Sequence, residues 1–150
     1  MSIAIRPATA TDIPTLFRIR TAVRQNAMSR AALAAAGVTP RNVAALLATE
    51  GAGWIARDHG RDAGFSIADA GQGSVFALFV LPGHERRGLG RALLLQAEDW
   101  LARQGWREAW LLTGTGPGLR APGFYRRMGW HRQGLAPPGE QRFIRRLPPG

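Results

Sequence analysis

The residues best able to do chemistry stand together just past the middle of the chain, in Pro82-Gly83-His84-Glu85-Arg86-Arg87-Gly88-Leu89-Gly90-Arg91. An apolar stretch at 75–81 runs into this segment, and apolar residues at helical spacing follow it. The first amides of a helix have no internal partner and lie at the positive end of a dipole worth about half an elementary charge. Such a start suits a phosphate or pyrophosphate. Gly88 and Gly90 lack a Cβ, so an anion can approach the backbone closely. Arg86, Arg87 and Arg91 add positive charge around the same turn. Glycines in a loop are by themselves only turns; it is their place between a buried strand and a helix that points to a phosphorylated ligand.

What is missing narrows the ligand. All 20 basic residues are arginine, so a P-loop lysine, a Schiff base and a lysine general base are excluded. A dinucleotide fingerprint needs a third glycine where Leu93 stands, and it normally follows a chain's first strand. There is no cysteine, which removes disulfides, thiolate metal sites and a cysteine nucleophile. The three histidines, His59, His84 and His131, are dispersed, and no metal is expected. A loop of the acyl-CoA type remains.

The segment resembles motif A of the GNAT superfamily of N-acetyltransferases, written Q/R-x-x-G-x-G/A and preceded by a strand and V-x-P. Val80-Leu81-Pro82 matches the approach and Gly88-Leu89-Gly90 the core, while Glu85 stands at the Q/R position. Pyrophosphate contacts in that family are mostly backbone amides, so the departure bears on one side-chain contact and not on the binding mode. Downstream, Ala121-Pro122-Gly123-Phe124-Tyr125-Arg126-Arg127-Met128-Gly129-Trp130 resembles the family's A-x-x-F-Y-x-x-x-G-F/W segment. The two motifs occur in the family's order, and the resemblance covers nearly the whole chain.

The resemblance implies an acyltransferase that uses acetyl-CoA as co-substrate, without a metal, and acetylates a small-molecule or peptide amine by direct attack. It assigns acetyl-CoA contacts to Phe79, Val80, Glu85, Arg86, Arg87, Gly88, Leu89, Gly90, Arg91, Thr113 and Tyr125. A backbone amide near 79–80, where family strands bulge, would polarise the thioester carbonyl. Pantetheine would lie between strands 75–81 and 106–113, which splay to admit it. Tyr125, the sole tyrosine, would be catalytic. Without the motif it reads as a core aromatic beside Phe124; with it, a phenol protonated at neutral pH can protonate the departing thiolate. The acceptor would meet Arg24, Asn26 and Trp54. Strand 74–81 carries no acid, so Glu50, Glu140, His131 and water all stay open as the base.

The elements that must position these residues are legible from periodicity. A strand at 2–6 ends at Pro7, and Thr9 with Asp12 forms a capping-box pattern, or Thr11 caps instead. Ile13, Leu16, Phe17, Arg20 and Val23 then give helical spacing through about Asn26. Ser29 opens a second helix that stops at Gly37, and Thr39-Pro40 opens a third. A hairpin follows over 54–57 and 61–68, and Gly71-Gln72-Gly73 turns into strand 75–81. Leu89, Leu93, Ala97 and Trp100 mark a long helix ending at Gly105. A strand at 106–112, a helix at 121–128 and two strands about Pro137-Pro138-Gly139 complete the chain. This order predicts one α/β domain over residues 1–150. The resemblance makes it a GNAT-like mixed, mostly antiparallel sheet flanked by helices and splayed at the cofactor-binding strands.

The net charge of +10 suits either nucleic acid or one small polyanion. The arginines are spread along the chain without interleaved aromatics, which favours the small anion. A non-catalytic acyl-CoA sensor and a basic nucleic-acid-binding module are the alternatives to an enzyme. The longest apolar run, 75–81, falls short of the roughly 20 residues of a membrane helix. With no secretory pattern at the N-terminus, the expected location is cytoplasmic, and a homodimer is compatible with the reading.

The loop generates a prediction. Acetyl-CoA raises the melting temperature of the wild-type protein by mass action but not that of Gly90→Val, whose β-branched side chain stands where the pyrophosphate approaches. Thermal shift and calorimetry check it; a folded Gly90→Val protein with wild-type affinity places the phosphates elsewhere.

Overall fold

The structure, a computed structural model, describes residues 3–136 and 139–149. Strand β1 (Ile3–Pro7) leads through a short 3-10 turn (Ala10–Asp12) into α1 (Ile13–Ala22), α2 (Arg30–Ala35) and α3 (Pro40–Ala48). Strands β2 (Gly51–Asp58), β3 (Arg61–Asp69) and β4 (Ser74–Val80) follow, then α4 (Leu89–Arg103), β5 (Glu108–Gly114), α5 (Ala121–Arg127), β6 (His131–Ala136) and β7 (Glu140–Arg146). This is the expected order, and the sheet is mixed and mostly antiparallel as expected. Ser2 and the Pro137-Pro138 part of the last turn lie outside the described residues.

The strands align as β1-β2-β3-β4-β5-β7-β6, with every neighbour antiparallel except the parallel pair β4 and β5. Two helical layers cover the sheet. Alternation along β3 sends Phe65 and Ile67 toward α1 and its neighbours, while Ser66 faces α4 and donates to Leu93 O at 3.0 Å. Helix α4 buries Leu89, Leu93, Leu94, Ala97 and Leu101 on one stripe. Each fully buried leucine contributes about 2 kcal/mol.

Local signals account for most boundaries. Ser29 Oγ accepts Ala32 N–H and Thr39 Oγ1 accepts Asn42 N–H, so both predicted caps form. Asp12 Oδ2 accepts Thr9 N–H at 2.8 Å and also holds Arg6. Two expectations fail. Helix α1 stops at Ala22 and not near Asn26, because Val23 turns extended and Asn26 takes φ 55°, a left-handed value that asparagine tolerates. Strand β5 begins at Glu108, because Trp106 belongs to the end of α4: its N–H donates to Leu101 O and its Nε1–H to Ala70 O. The Trp106 ring packs over Gly73, where a Cβ would stand 2.6 Å from Cε3.

A buried polar knot joins α4 to the C-terminal half. Glu98 accepts Trp130 Nε1–H and Arg145 Nε–H, each at 3.0 Å, while Arg145 Nη1 donates to Met128 O at 2.9 Å. Removing the carboxylate leaves a buried indole N–H without its acceptor and a half-buried guanidinium without its counter-charge. Glu98→Ala is therefore expected to destabilise the fold by about 3 kcal/mol, read as a lower urea midpoint; a loss below about 1 kcal/mol shows that water replaces the carboxylate.

Candidate active site

The site begins where β4 and β5 part. Among the described residues their registered pairing is Ser74↔Trp110. Two tryptophans hold this base: Trp110 N–H donates to Gly73 O and its Nε1–H to Gln72 O, beside the Trp106–Ala70 bond. Beyond the base the strands diverge. Leu81 N–H donates to Ala63 O, and Phe79 pairs with Phe65, so the main-chain groups of Phe79 face β3. Those of Leu78 and Val80 face the gap by alternation. On the far side Trp110 N–H points at Gly73, which by the same alternation turns the main chain of Leu112 into the gap.

The bulge expected near 79–80 lies elsewhere. Ile67 pairs with Ala77 and Ala68 with Val75, which leaves Phe76 as the extra residue, 45% exposed. The amides available to a carbonyl in the gap are therefore those of Leu78 and Val80; Leu78 was not singled out from the sequence. The period-two rule could have found it, given the neighbouring strand.

Two cavities meet at this gap. The first, about 560 Å³, opens on the α4 and α5 side. Of the expected acetyl-CoA residues, Phe79, Val80, Glu85, Arg86, Gly88, Gly90, Arg91, Thr113 and Tyr125 line it, and so does Asn26. The loop before α4 takes left-handed values at Gly83 (φ 86°), Arg86 (φ 64°) and Gly88 (φ 89°). The N–H groups of Leu89, Gly90 and Arg91 lie in the first turn of α4, where no intrahelical acceptor exists. A Cβ at Gly90 would reach Phe124 at 3.4 Å, ordinary contact, so the glycine leaves room there and is not demanded by packing. Glu85 pairs with Arg120 at 3.0 Å, which neutralises the acid standing at the Q/R position. Arg120 N–H in turn donates to Gln25 Oε1, linking this mouth to the segment after α1.

The side chains of four expected residues line neither cavity. The Leu89 side chain is buried in the core, so only its backbone belongs to the loop. Arg87 turns away toward Asp58, at 3.8 Å. Trp54 points to the α4 face, where it packs edge-on against Trp100 at 6.0 Å, the opposite face from α1. Arg24 is exposed on the surface because α1 has already ended.

The Tyr125 ring packs against Phe124, Trp130 and Phe143, with centroids 5.2, 5.9 and 6.3 Å away. Its hydroxyl bonds no protein group among the described residues. Burial pushes its pKa above the usual tyrosine value, so the phenol keeps its proton at neutral pH.

The second cavity, about 600 Å³, opens on the α1–α2–α3 side and shares Asn26, Phe76, Phe79 and Leu112 with the first. Its lining is mainly apolar. Arg20 and Glu140 are the charged residues on it. Of the three side chains left open as a base, Glu140 alone lines it: Glu50 packs against Gly71, and His131 is exposed on β6.

The loop before α4 is tied down from below. Buried Asp58 receives His84 Nδ1–H at 2.8 Å and His59 Nδ1–H at 2.7 Å. The His84 bond is the main reason its carboxyl stays below the usual 3.8.

The family model for the acetyltransferase (GNAT) domain matches residues 49–132, more than half of the chain. No curated protein matches the sequence significantly. Among solved structures, the PaiA N-acetyltransferase of Thermoplasma acidophilum in complex with coenzyme A superposes with a TM-score of 0.80 at 16% identity, covering 98% of this chain and 100% of that one. A GNAT-family acetyltransferase from Staphylococcus aureus gives 0.78 at 16%, covering 98% and 100%. Nourseothricin acetyltransferase gives 0.72 at 20%, covering 99% and 100%. At these identities the likeness is one of fold.

The anchor generates a prediction about pH. A carboxyl with a depressed native pKa adds stability above its unfolded value, and that stability disappears as pH falls through the native one. Asp58→Asn should therefore melt below wild type near neutral pH, with the gap narrowing as pH drops below 3.8. It should also bind acetyl-CoA more weakly, since the loop loses its tether. A pH series of melting curves and a calorimetric titration check both; a pH-independent gap means that Asp58 acts only through packing.

Proposed function

The chain belongs to the GNAT acetyltransferase family, and on that premise we propose that it transfers the acetyl group of acetyl-CoA to an amine by direct attack. One observation carries the reading: two cavities on opposite faces of the sheet meet where β4 and β5 part, so two substrates can reach one point from opposite sides. Unpaired backbone groups away from water are costly. The gap offers those of Leu78, Val80 and Leu112 to an extended ligand bearing amides, which is the chemistry of pantetheine. The first turn of α4, with Arg86 and Arg91, suits the pyrophosphate at the end of that ligand.

In the proposed reaction a neutral amine enters from the second cavity and its lone pair forms the C–N bond to the thioester carbonyl carbon. The Leu78 N–H, facing the gap, stabilises the negative charge that grows on the carbonyl oxygen. The C–S bond breaks as its electron pair returns to sulfur, and the Tyr125 hydroxyl supplies the proton that makes a thiol. The amine nitrogen gives up one proton, through water or Glu140, which restores the phenol. The balance is an acetylated amine and free CoA. Burial keeps the phenol protonated, so the proton is present on the donor when the thiolate leaves.

Tyr125→Phe keeps the ring and breaks no internal hydrogen bond, so its melting temperature and its affinity for acetyl-CoA stay near wild type. Turnover, followed by free-thiol release over a panel of amines, falls by roughly 10²–10⁴. Wild-type turnover in the variant reduces Tyr125 to a core aromatic. Acetyl-CoA binding without turnover of any amine makes the protein a sensor and not an enzyme.

A further inference from the structure

Arg20 lies on the apolar stripe of α1, with Ile13, Leu16 and Phe17 on the same buried face. It is 8% exposed, yet it enters no ion pair among the described residues, and its Nη1 has no hydrogen-bond partner. Its guanidinium sits 4.2 Å above the Phe79 ring, on the wall of the second cavity. A solvated cation at this position would be unremarkable; a buried one with an idle donor is expensive. Burial alone pulls its pKa below the ordinary arginine value, but an arginine remains charged at neutral pH. The stacking on Phe79 offsets part of the cost and leaves the N–H groups free. The other charged group on the cavity, Glu140, forms no bridge to it among the described residues. Around Arg20 the wall is apolar, formed by Leu16, Phe17, Leu33, Val43 and Phe65.

A buried guanidinium matches an oxyanion, carboxylate or phosphate, which it can hold through paired, charge-assisted hydrogen bonds, and the apolar wall around this one favours the singly charged carboxylate. We propose that the acceptor is an amine that also carries a carboxylate on an otherwise apolar frame, such as a hydrophobic amino acid, with Arg20 pairing the carboxylate. The inference rests on the transferase reading for its amine and on Arg20 for its carboxylate. The amine faces the parted strands, while the carboxylate meets the free edge of the Arg20 guanidinium. The apolar remainder of the molecule takes the place of water against α2 and α3. A diamine has no group to satisfy Arg20 and brings a second positive charge toward it.

The test separates the two halves of the claim. Calorimetry on the CoA-bound protein compares N-acetylphenylalanine with N-acetylphenethylamine, which differs only by the carboxylate. Turnover compares phenylalanine with phenethylamine and leucine with isopentylamine. The carboxylate should improve binding and kcat/KM by roughly 10- to 100-fold. In Arg20→Met, which removes a buried charge while keeping an apolar stem, that advantage disappears. The variant is expected to fold with an unchanged or higher melting temperature, and the acetyl-CoA shift reports that it has. Equal binding of the two acetyl compounds, or an advantage that survives Arg20→Met, overturns the inference; amines acetylated without regard to a carboxylate overturn it and leave the transferase reading intact. A carboxylate preference in binding that Arg20→Met abolishes, with no amine turned over, keeps Arg20 as a carboxylate site and removes the transferase.

Discussion

The parting of β4 and β5 is the constraint on which the rest of this structure depends. A sheet gains by pairing every backbone N–H and C=O along its strands. Here two neighbouring strands are held at one end and leave the groups of Leu78, Val80 and Leu112 without a strand partner beyond it. The split persists because its base is tied by two indoles, Trp106 and Trp110, to the turn before β4. Both flanks are paired to other strands, β4 to β3 and β5 to β7. Neither strand can shift across without breaking a complete antiparallel ladder.

Around that gap the charges are arranged by depth. At the mouth of the first cavity Glu85 and Arg120 neutralise one another, which leaves no unpaired acid of that loop at the helix start. Beneath the loop Asp58 collects two histidines and an arginine, so the loop's own His84 and Arg87 tie it to the end of β2. Across the sheet Arg20 is the exception: a buried cation to which the protein offers an aromatic face and, among the described residues, no acid. Two polar anchors satisfied within the chain hold structure in place. The third keeps an unpartnered donor, and the proposal of a ligand group rests on it.

The position of Tyr125 is likewise decided at a distance. Its helix, α5, spans seven residues, too short to be stable alone. It is held by aromatic packing and by the knot of Glu98, Trp130 and Arg145, which ties the segment after it to α4. The same α4 begins at the proposed phosphate site. One helix therefore couples the two ends of the proposed cofactor site.

Much of this was legible in the sequence. Caps at Ser29 and Thr39, the glycine stops at Gly37, Gly105 and Gly129, and the apolar periodicity gave the element order, because those signals act within one or two turns of chain. The two motifs likewise named part of the first cavity's lining, since a loop and the helix it opens are contiguous. What failed needed knowledge of neighbours. Trp54 has the chemistry of a binding residue, but strand parity set it against Trp100 on the other face. Arg87 has the charge of a phosphate ligand, but Asp58, distant in sequence, draws it away. Arg20 was visible as an arginine in an apolar stripe, yet only the packed sheet beneath it shows that it is buried and that no acid answers it. The bulge at Phe76 and the inward amide of Leu78 follow from register between strands. The chain by itself thus determined which local conformations form; which side chains and amides face a common space was decided by the tertiary structure, because facing is a relation between segments that meet only after folding.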